Sequence, residues 1–344
     1  MNTEWSPDDS SIYTLPPELF GCYSPPSTPI LNGTQGLFSV PPGQVGQHTF
    51  TIQGGASGHL TLASAPDPNT QAITYDIVIQ SNPPSLAQVS FSQPNPGPAT
   101  TPSTDFLIDT PINMIQTSLT EPPACMRFDI TMYIPRNLQQ LTVNISTPVQ
   151  ITFSPQGHVE LDNLSILITS SHPKCQIDSS DSLQAKSLSI EMNTGLIQGY
   201  ISIGDSSKIT NWNGQILLDT IPNAALDFSN PSTAQLETTC YGKVEIRYLW
   251  NRAYRKRPID SSHTMGIQDT STGTFDYGDS GFNGLLYLNS TDYNITNGDF
   301  WEETPPGTLG NATWPTVIGS RTGEDNIFIR AGSGSIILPD DSDT

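Results

Sequence analysis

The chain has 344 residues and a formal net charge of −20, and only 13% of its residues are charged. Such a polyanion gains no counterion release from DNA or RNA, and anionic membrane surfaces repel it, so neither partner is expected. Apolar residues reach 35% of the chain and alternate with polar ones, which indicates half-buried strands rather than disorder.

The predicted elements divide the chain into three parts. Residues 1–30 are rich in proline and serine and predict an extended arm. Strand patterns dominate from there on, so a β-solenoid-like domain is predicted over 31–255. Residues 256–344 predict a further β segment, packed on the same domain and ending in an acidic tail. No apolar spacing typical of a helix is found.

A short motif recurs along the predicted strands: glycine, any residue, then alternating apolar and polar positions. Its copies begin at Gly58, Gly157, Gly195, Gly214, Gly242, Gly284 and Gly334. We expect each glycine to take a positive φ at a corner and the residues after it to form one strand. Repeats of this kind predict an all-β fold, an irregular single-stranded β-solenoid or β-helix-like stack of short strands. The alternative is a β-sandwich whose hairpins use glycine turns.

Residues 128–250 combine three sequence features. A strand ends in Ile134-Pro135, a Leu-x-Val strand follows it, and the steps Asn193-Thr194-Gly195 and Asn213-Gly214 come later. In these features the segment resembles the "putative adhesin" β-solenoid domains of uncharacterised surface proteins, some of them fungal. The resemblance implies a surface-exposed solenoid without defined functional residues.

The chain has four cysteines and no CxxC pair, which disfavours a zinc site and favours two disulfides. They are Cys22, Cys125, Cys175 and Cys240. Their connectivity is open, and buried free thiols are the alternative. Asn-x-Ser/Thr sequons predict N-glycosylation sites at Asn32, Asn144, Asn163, Asn289, Asn294 and Asn311.

These features predict a secreted or cell-surface protein. The first residues contain neither a basic region nor an apolar run, so we expect a mature or excised ectodomain, with a cytosolic protein as the alternative. No stretch approaches the roughly 18 apolar residues of a transmembrane helix, so no transmembrane segment is expected.

One stretch concentrates the positive charge and interleaves it with aromatic residues. Its candidate binding residues are Lys243, Arg247, Tyr248, Trp250, Arg252, Tyr254, Arg255 and Arg257. Aromatic rings stack on sugars and arginine pairs with anions, so an anionic glycan is one hypothesis. An acidic surface of a partner, or self-association, is another. The third interpretation is a basic strand end neutralised by the chain's own carboxylates.

No constellation of residues predicts catalysis, a metal site or a cofactor, and the five histidines are scattered. The sequence therefore predicts a non-catalytic structural or adhesion module. A carbohydrate-active β-helix enzyme is the second hypothesis, with Asp219, Glu237 and Glu245 as candidate carboxylates. A viral fibre or capsid protein is the third.

Overall fold

A computed structural model of the chain shows strands, turns and bends and, among the described residues, no helix. The structure describes residues 28–31, 37–41, 46–82, 90–92, 105–111, 125–222, 233–249, 258–265, 272–276, 284–289, 292–296, 300–301, 314–318, 325–330 and 333–337. The all-β prediction is therefore confirmed. Nowhere in these ranges is there a helix long and apolar enough to cross a membrane.

The strands are short at both ends of the chain and long in its middle. The first twelve are β1 (Thr28–Leu31), β2 (Leu37–Val40), β3 (Gln47–Gln53), β4 (Ser57–Ser64), β5 (Ile73–Asn82), β6 (Ser90–Ser92), β7 (Asp105–Asp109), β8 (Cys125–Ile134), β9 (Gln140–Ile145), β10 (Val149–Phe153), β11 (Val159–Ile168) and β12 (Gln176–Ser179). The others are β13 (Leu183–Ile203), β14 (Ser206–Pro222), β15 (Ala234–Cys240), β16 (Lys243–Tyr248), β17 (Ile259–Met265), β18 (Thr272–Asp276), β19 (Gly284–Asn289), β20 (Asp292–Thr296), β21 (Phe300–Trp301), β22 (Trp314–Ile318), β23 (Asp325–Arg330) and β24 (Ser333–Ile337).

Most strands pair in parallel and form two columns. Column A runs through β7, β3, β9, β11, the first halves of β13 and β14, β15, β17, β23 and β19. Column B runs through β8, β4, β10, β12, the second halves of β13 and β14, β16, β18, β24 and β20. We call one strand of column A and the following strand of column B a rung. Pairing between rungs is parallel, whereas the strands of a β-sandwich pair antiparallel.

The order of the rungs departs from the order of the sequence at both ends. The rung β3–β4 lies between β7–β8 and β9–β10. The rung β23–β24 lies between β17–β18 and β19–β20. Antiparallel strands add to the outer rungs, since β5 pairs with β8 and β22 with β19. The glycine motif did not predict this rearrangement, because a simple repeat predicts that each rung stacks on the one before it.

Alternate side chains point inward and form ladders of stacked apolar residues. In column B, one register position is occupied on successive rungs by Leu60, Ile151, Ile177, Ile197 and Ile216. All five side chains have no exposed surface. Burying one such side chain contributes about 1.5–3 kcal/mol, so these ladders are a main source of stability.

The corresponding ladder of column A changes from apolar to polar side chains along the chain. It is apolar at Ile190 and Ile209 and then continues as Thr238 and His263. The ring of His263 is fully buried. Its Nδ1 lies 2.8 Å from Thr238 Oγ1, and its Nε2 lies 3.0 Å from the hydroxyl of Tyr248. Burial lowers the pKa of His263 to about 3, so the core of the later rungs contains a neutral imidazole.

Glycines stand where the chain crosses from column A to column B. Gly195 has a φ of +130°, as the repeat predicts, but the φ values of Gly214 and Gly242 lie outside the left-handed region. A Cβ atom on Gly214 would lie 2.1 Å from the carbonyl oxygen of Gly195, and one on Gly242 would lie 2.0 Å from that of Gly214. The close approach of successive rungs, rather than backbone conformation, therefore requires these two glycines, which corrects the sequence-based reason for them.

The structure shows no disulfide at the two cysteines whose side chains are described. Cys175 and Cys240 are buried free thiols. The strands next to them, β12 and β16, are separated by the rungs of β13 and β14. Three strand spacings amount to roughly 14 Å, about twice the largest Cα separation that a disulfide spans. Cys22 and the side chain of Cys125 lie outside the described residues.

Candidate functional site

The predicted basic stretch begins on β16, where two of its cations meet carboxylates of the same chain. Arg247 donates two hydrogen bonds to Asp219 on the neighbouring rung, from Nε to Oδ1 at 2.9 Å and from Nη2 to Oδ2 at 2.7 Å. The hydrogen bonding with Asp219 raises the pKa of Arg247 above its ordinary value. Lys243 forms an ion pair with Glu245 at 2.6 Å. Both cations are therefore engaged within the protein.

Tyr248 does not belong to a binding surface. Its side chain has no exposed area, and its hydroxyl lies against His263 in the interior. A ring in that position cannot stack on a sugar, so the structure corrects this part of the predicted site. The remaining candidates, Trp250, Arg252, Tyr254, Arg255 and Arg257, lie outside the described residues.

The three candidate carboxylates of the enzyme hypothesis do not converge. Glu237 lies on β15 in column A and forms an ion pair with Lys208 at 3.0 Å. Asp219 and Glu245 lie in column B, each paired with the cation named above. An acid and a base that cleave a glycosidic bond must face one groove; Asp219 and Glu245 share the outer face of column B on neighbouring rungs, whereas Glu237 lies in the other column. Within the described ranges, no three potential metal-binding side chains come together.

One row on the outer face of column A consists of short, uncharged side chains over four rungs. Thr49, Thr142, Ser165 and Ser189 occupy one register position on four successive rungs. Each is half-buried or exposed. A hydroxyl both donates and accepts a hydrogen bond, so this row repeats the same polar group about every 4.8 Å. The result is a regular hydrogen-bonding surface, which we call the hydroxyl row.

Column B carries a cluster of amides around one carboxylate. Asp178 Oδ2 accepts a hydrogen bond from Gln150 Nε2 at 2.8 Å. Asp178 Oδ1 accepts bonds from the Nε2 atoms of Gln176 and Gln198, each at 2.7 Å. The donors come from β10, β12 and β13. This cluster ties three rungs together and satisfies its own carboxylate, so it acts as a structural brace.

An exposed aromatic pair stands at the corner between the columns. Trp212 and Tyr241 are 36% and 50% exposed, with ring centroids 5.7 Å apart and ring planes inclined by 36°. The indole Nε1 of Trp212 donates a hydrogen bond to Oε1 of Glu191 at 3.1 Å. Exposed aromatic residues that cluster in this way are typical of contact sites. Sequence reasoning missed the pair, because it interpreted Asn213-Gly214 only as a turn and did not place residue 241 beside residue 212.

Two predicted glycosylation sites have described side chains, and both lie on the outer face of column A. Asn163 on β11 is exposed, and Asn144 on β9 is half-buried. Asn289 and Asn294 lie on β19 and β20, while Asn32 and Asn311 lie outside the described residues. Glycosylation of these asparagines stays a prediction.

Comparison with known proteins gives distant structural similarity alone. No protein-family model matches the chain, and no curated protein matches it significantly. A "putative adhesin" of solved structure from Bacteroides fragilis is 11% identical, with a TM-score of 0.43 over 90% of this chain and 99% of that one. A "putative cell adhesion protein" from Clostridium sporogenes is 10% identical, with a TM-score of 0.27 over 88% of this chain and 97% of that one. Similarities at this level carry no argument about function.

Proposed function

We propose that the chain is a non-catalytic module of the cell surface or extracellular space that acts in adhesion. The observation that supports this most is the hydroxyl row, which repeats one uncharged hydrogen-bonding group over four successive rungs. A regular outer face of this kind is suited to contact with another extended surface. Small substrates are bound instead in concave sites that enclose most of the ligand.

The pairing of the carboxylates supports a non-catalytic role. Each of the three candidate carboxylates lies against a cation of the same chain. Asp219 receives two hydrogen bonds from Arg247 and is 13% exposed in its side chain. Glu237 and Glu245 are bound by lysines in the same way. These carboxylates neutralise cations on the outer faces of the two columns.

The proposed location rests on composition. Charged residues make up 13% of the chain, well below the roughly 25% typical of soluble domains, and the hydroxyl row uses uncharged groups in their place. The exposed sequon at Asn163 is compatible with export. Cys175 and Cys240 are free thiols. A disulfide between them therefore does not support an oxidising compartment.

A bead assay tests the proposal. Beads carrying the purified chain are passed over surfaces coated with yeast mannan, with mucin, or with the chain itself, and albumin-coated beads serve as the control. We expect retention of the protein-coated beads on at least one surface, without release of new reducing ends from mannan or mucin. Reducing ends that increase with time and protein concentration would show an enzyme. Retention no greater than that of albumin beads on all three surfaces would also refute the proposal.

A further inference from the structure

We infer that Trp212 and Tyr241, together with Glu191 and Asn193, form a binding platform for a neutral carbohydrate chain. We call these four residues the aromatic corner. The inference rests on the proposed adhesive function and adds a site and a ligand class to it. It places binding at the corner between the columns and away from the basic stretch at 243–257.

The register of the strands lines up three of these residues along the stacking direction. Met192 pairs with Asn211 and Thr194 with Asn213, so Asn193 lies beside Trp212. Asn211 also pairs with Cys240, which brings the next residue, Tyr241, beside Trp212 on the following rung. Two strand spacings amount to about 10 Å. The corner is therefore an elongated ridge that runs from rung to rung, a shape suited to an extended polymer.

The chemistry of the ridge matches a sugar. A pyranose ring has C–H groups that pack on aromatic faces and hydroxyls that need hydrogen-bonding partners. Trp212 and Tyr241 provide the rings. Glu191 uses Oε1 for the indole and receives no hydrogen bond at Oε2 from the described residues. Asn193 donates from Nδ2 to the carbonyl oxygen of Thr169 at 2.7 Å, which leaves its side-chain oxygen available to accept.

The charge of the corner selects a neutral ligand. Glu191 is exposed, whereas the nearby cation Lys243 is engaged with Glu245. A negative corner on a chain with a net charge of −20 repels uronic acids and sulfated sugars. Binding of a quaternary ammonium would require rings that enclose the cation, and an open ridge does not enclose it.

Buried hydrogen bonds and close backbone packing hold the aromatic corner in place. Asn211 has no exposed surface, and its Nδ2 lies 3.0 Å from the carbonyl oxygens of both Gly195 and Gln215. The rungs also approach so closely at Gly214 and Gly242 that neither position has room for a Cβ atom. A rigid platform loses little conformational entropy when it binds, which favours affinity for a ligand that makes few contacts.

Affinity electrophoresis tests the inference. The native chain and its variants are run in native gels that contain yeast mannan, laminarin, hydroxyethyl cellulose or polygalacturonate. We expect at least one of the three neutral polysaccharides to retard the native chain and polygalacturonate not to. The apparent affinity should fall about tenfold in Trp212→Ala and in Tyr241→Ala. Phe328→Ala, which removes an exposed ring on β23, is the matched control and should behave as the native chain does.

Thermal melting of each variant verifies folding, and Tyr241→Ala decides the result if Trp212→Ala does not fold. The inference is overturned if no neutral polysaccharide retards the native chain, if polygalacturonate alone does, or if a folded corner variant is retarded as strongly as the native chain. Beads carrying Trp212→Ala that adhere to mannan as strongly as native beads would contradict the carbohydrate platform and leave the adhesive function standing. Failure of native beads to adhere would remove the adhesive function itself.

Discussion

Trp212 and Tyr241 lie side by side on neighbouring rungs, with ring centroids 5.7 Å apart. Their positions follow from the glycines of the corner. Trp212 precedes Gly214 by two residues, while the corner of the next rung is one residue shorter and Tyr241 directly precedes Gly242. The closely stacked backbone at Gly214 and Gly242 therefore places both rings on the same ridge.

Replacing Gly214 by alanine should destabilise the fold. The new Cβ would lie 2.1 Å from the carbonyl oxygen of Gly195, so the rungs must move apart. We expect a loss of about 2 kcal/mol or more in the free energy of unfolding, measured by urea denaturation. Asn213→Ala is the control, because Asn213 is the exposed neighbour of Gly214 and should change stability by less than about 0.5 kcal/mol. Equal stability of the two variants would contradict the close approach.

Arg247 and Asp219 should show energetic coupling. Their two hydrogen bonds join neighbouring rungs, and the Asp219 side chain is 13% exposed. A double-mutant cycle with Arg247→Ala and Asp219→Ala should give a coupling free energy of about 1 kcal/mol, since Arg247 is itself half-exposed and solvent weakens the pair. The same cycle for the more exposed pair Lys208 and Glu237 should give a smaller value. Additive effects at Arg247 and Asp219 would refute the pairing.

His263 should make the protein sensitive to acid. Its pKa falls from 6.5 to about 3 on burial, so the unfolded chain binds the proton more tightly than the folded chain. Its contribution to stability is complete above about pH 6.5 and decreases by about 1.4 kcal/mol per pH unit as the pH falls toward 3. Urea denaturation at several pH values should therefore show a steeper loss for the native chain than for His263→Gln. Parallel curves would place His263 in contact with solvent.

Cys175 and Cys240 should be inert in the folded protein. Both thiols are buried, and burial raises the pKa of each above its ordinary value, which lowers the reactive thiolate fraction. We expect a thiol reagent to label both in urea and neither in native buffer, as read by peptide mass spectrometry. Rapid labelling of either residue in native buffer, or a peptide in which the two are linked, would contradict their burial as separate free thiols.

The alternation of apolar and polar residues predicted much of this fold, because a strand that faces a core on one side must alternate. Ile197 and Ile216, for example, each follow a motif glycine by two residues and both face the core. The exchange of rungs at the two ends depends instead on long-range pairing, such as Phe50 with Phe106. A local motif contains no information about that pairing.

The candidate site was predicted less well. Basic and aromatic residues near one another in sequence suggested a surface, but Tyr248 occupies an inward position of its strand. Trp212 and Tyr241 are 29 residues apart in the sequence, and the register of β14 and β15 alone makes them neighbours. Contact sites on stacked rungs form across the strands, so they cannot be identified along the sequence before the register is known.

Hydroxyl-radical footprinting measures directly whether a polysaccharide binds at the aromatic corner. The native chain is oxidised with and without yeast mannan, laminarin or hydroxyethyl cellulose, and the oxidation of each aromatic residue is read by mass spectrometry. We expect at least one of these polysaccharides to protect both Trp212 and Tyr241, while Phe328 is oxidised equally in both conditions. Protection of Trp250 and Tyr254 with unchanged oxidation at Trp212 and Tyr241 would contradict this expectation, and so would the absence of protection with all three polysaccharides.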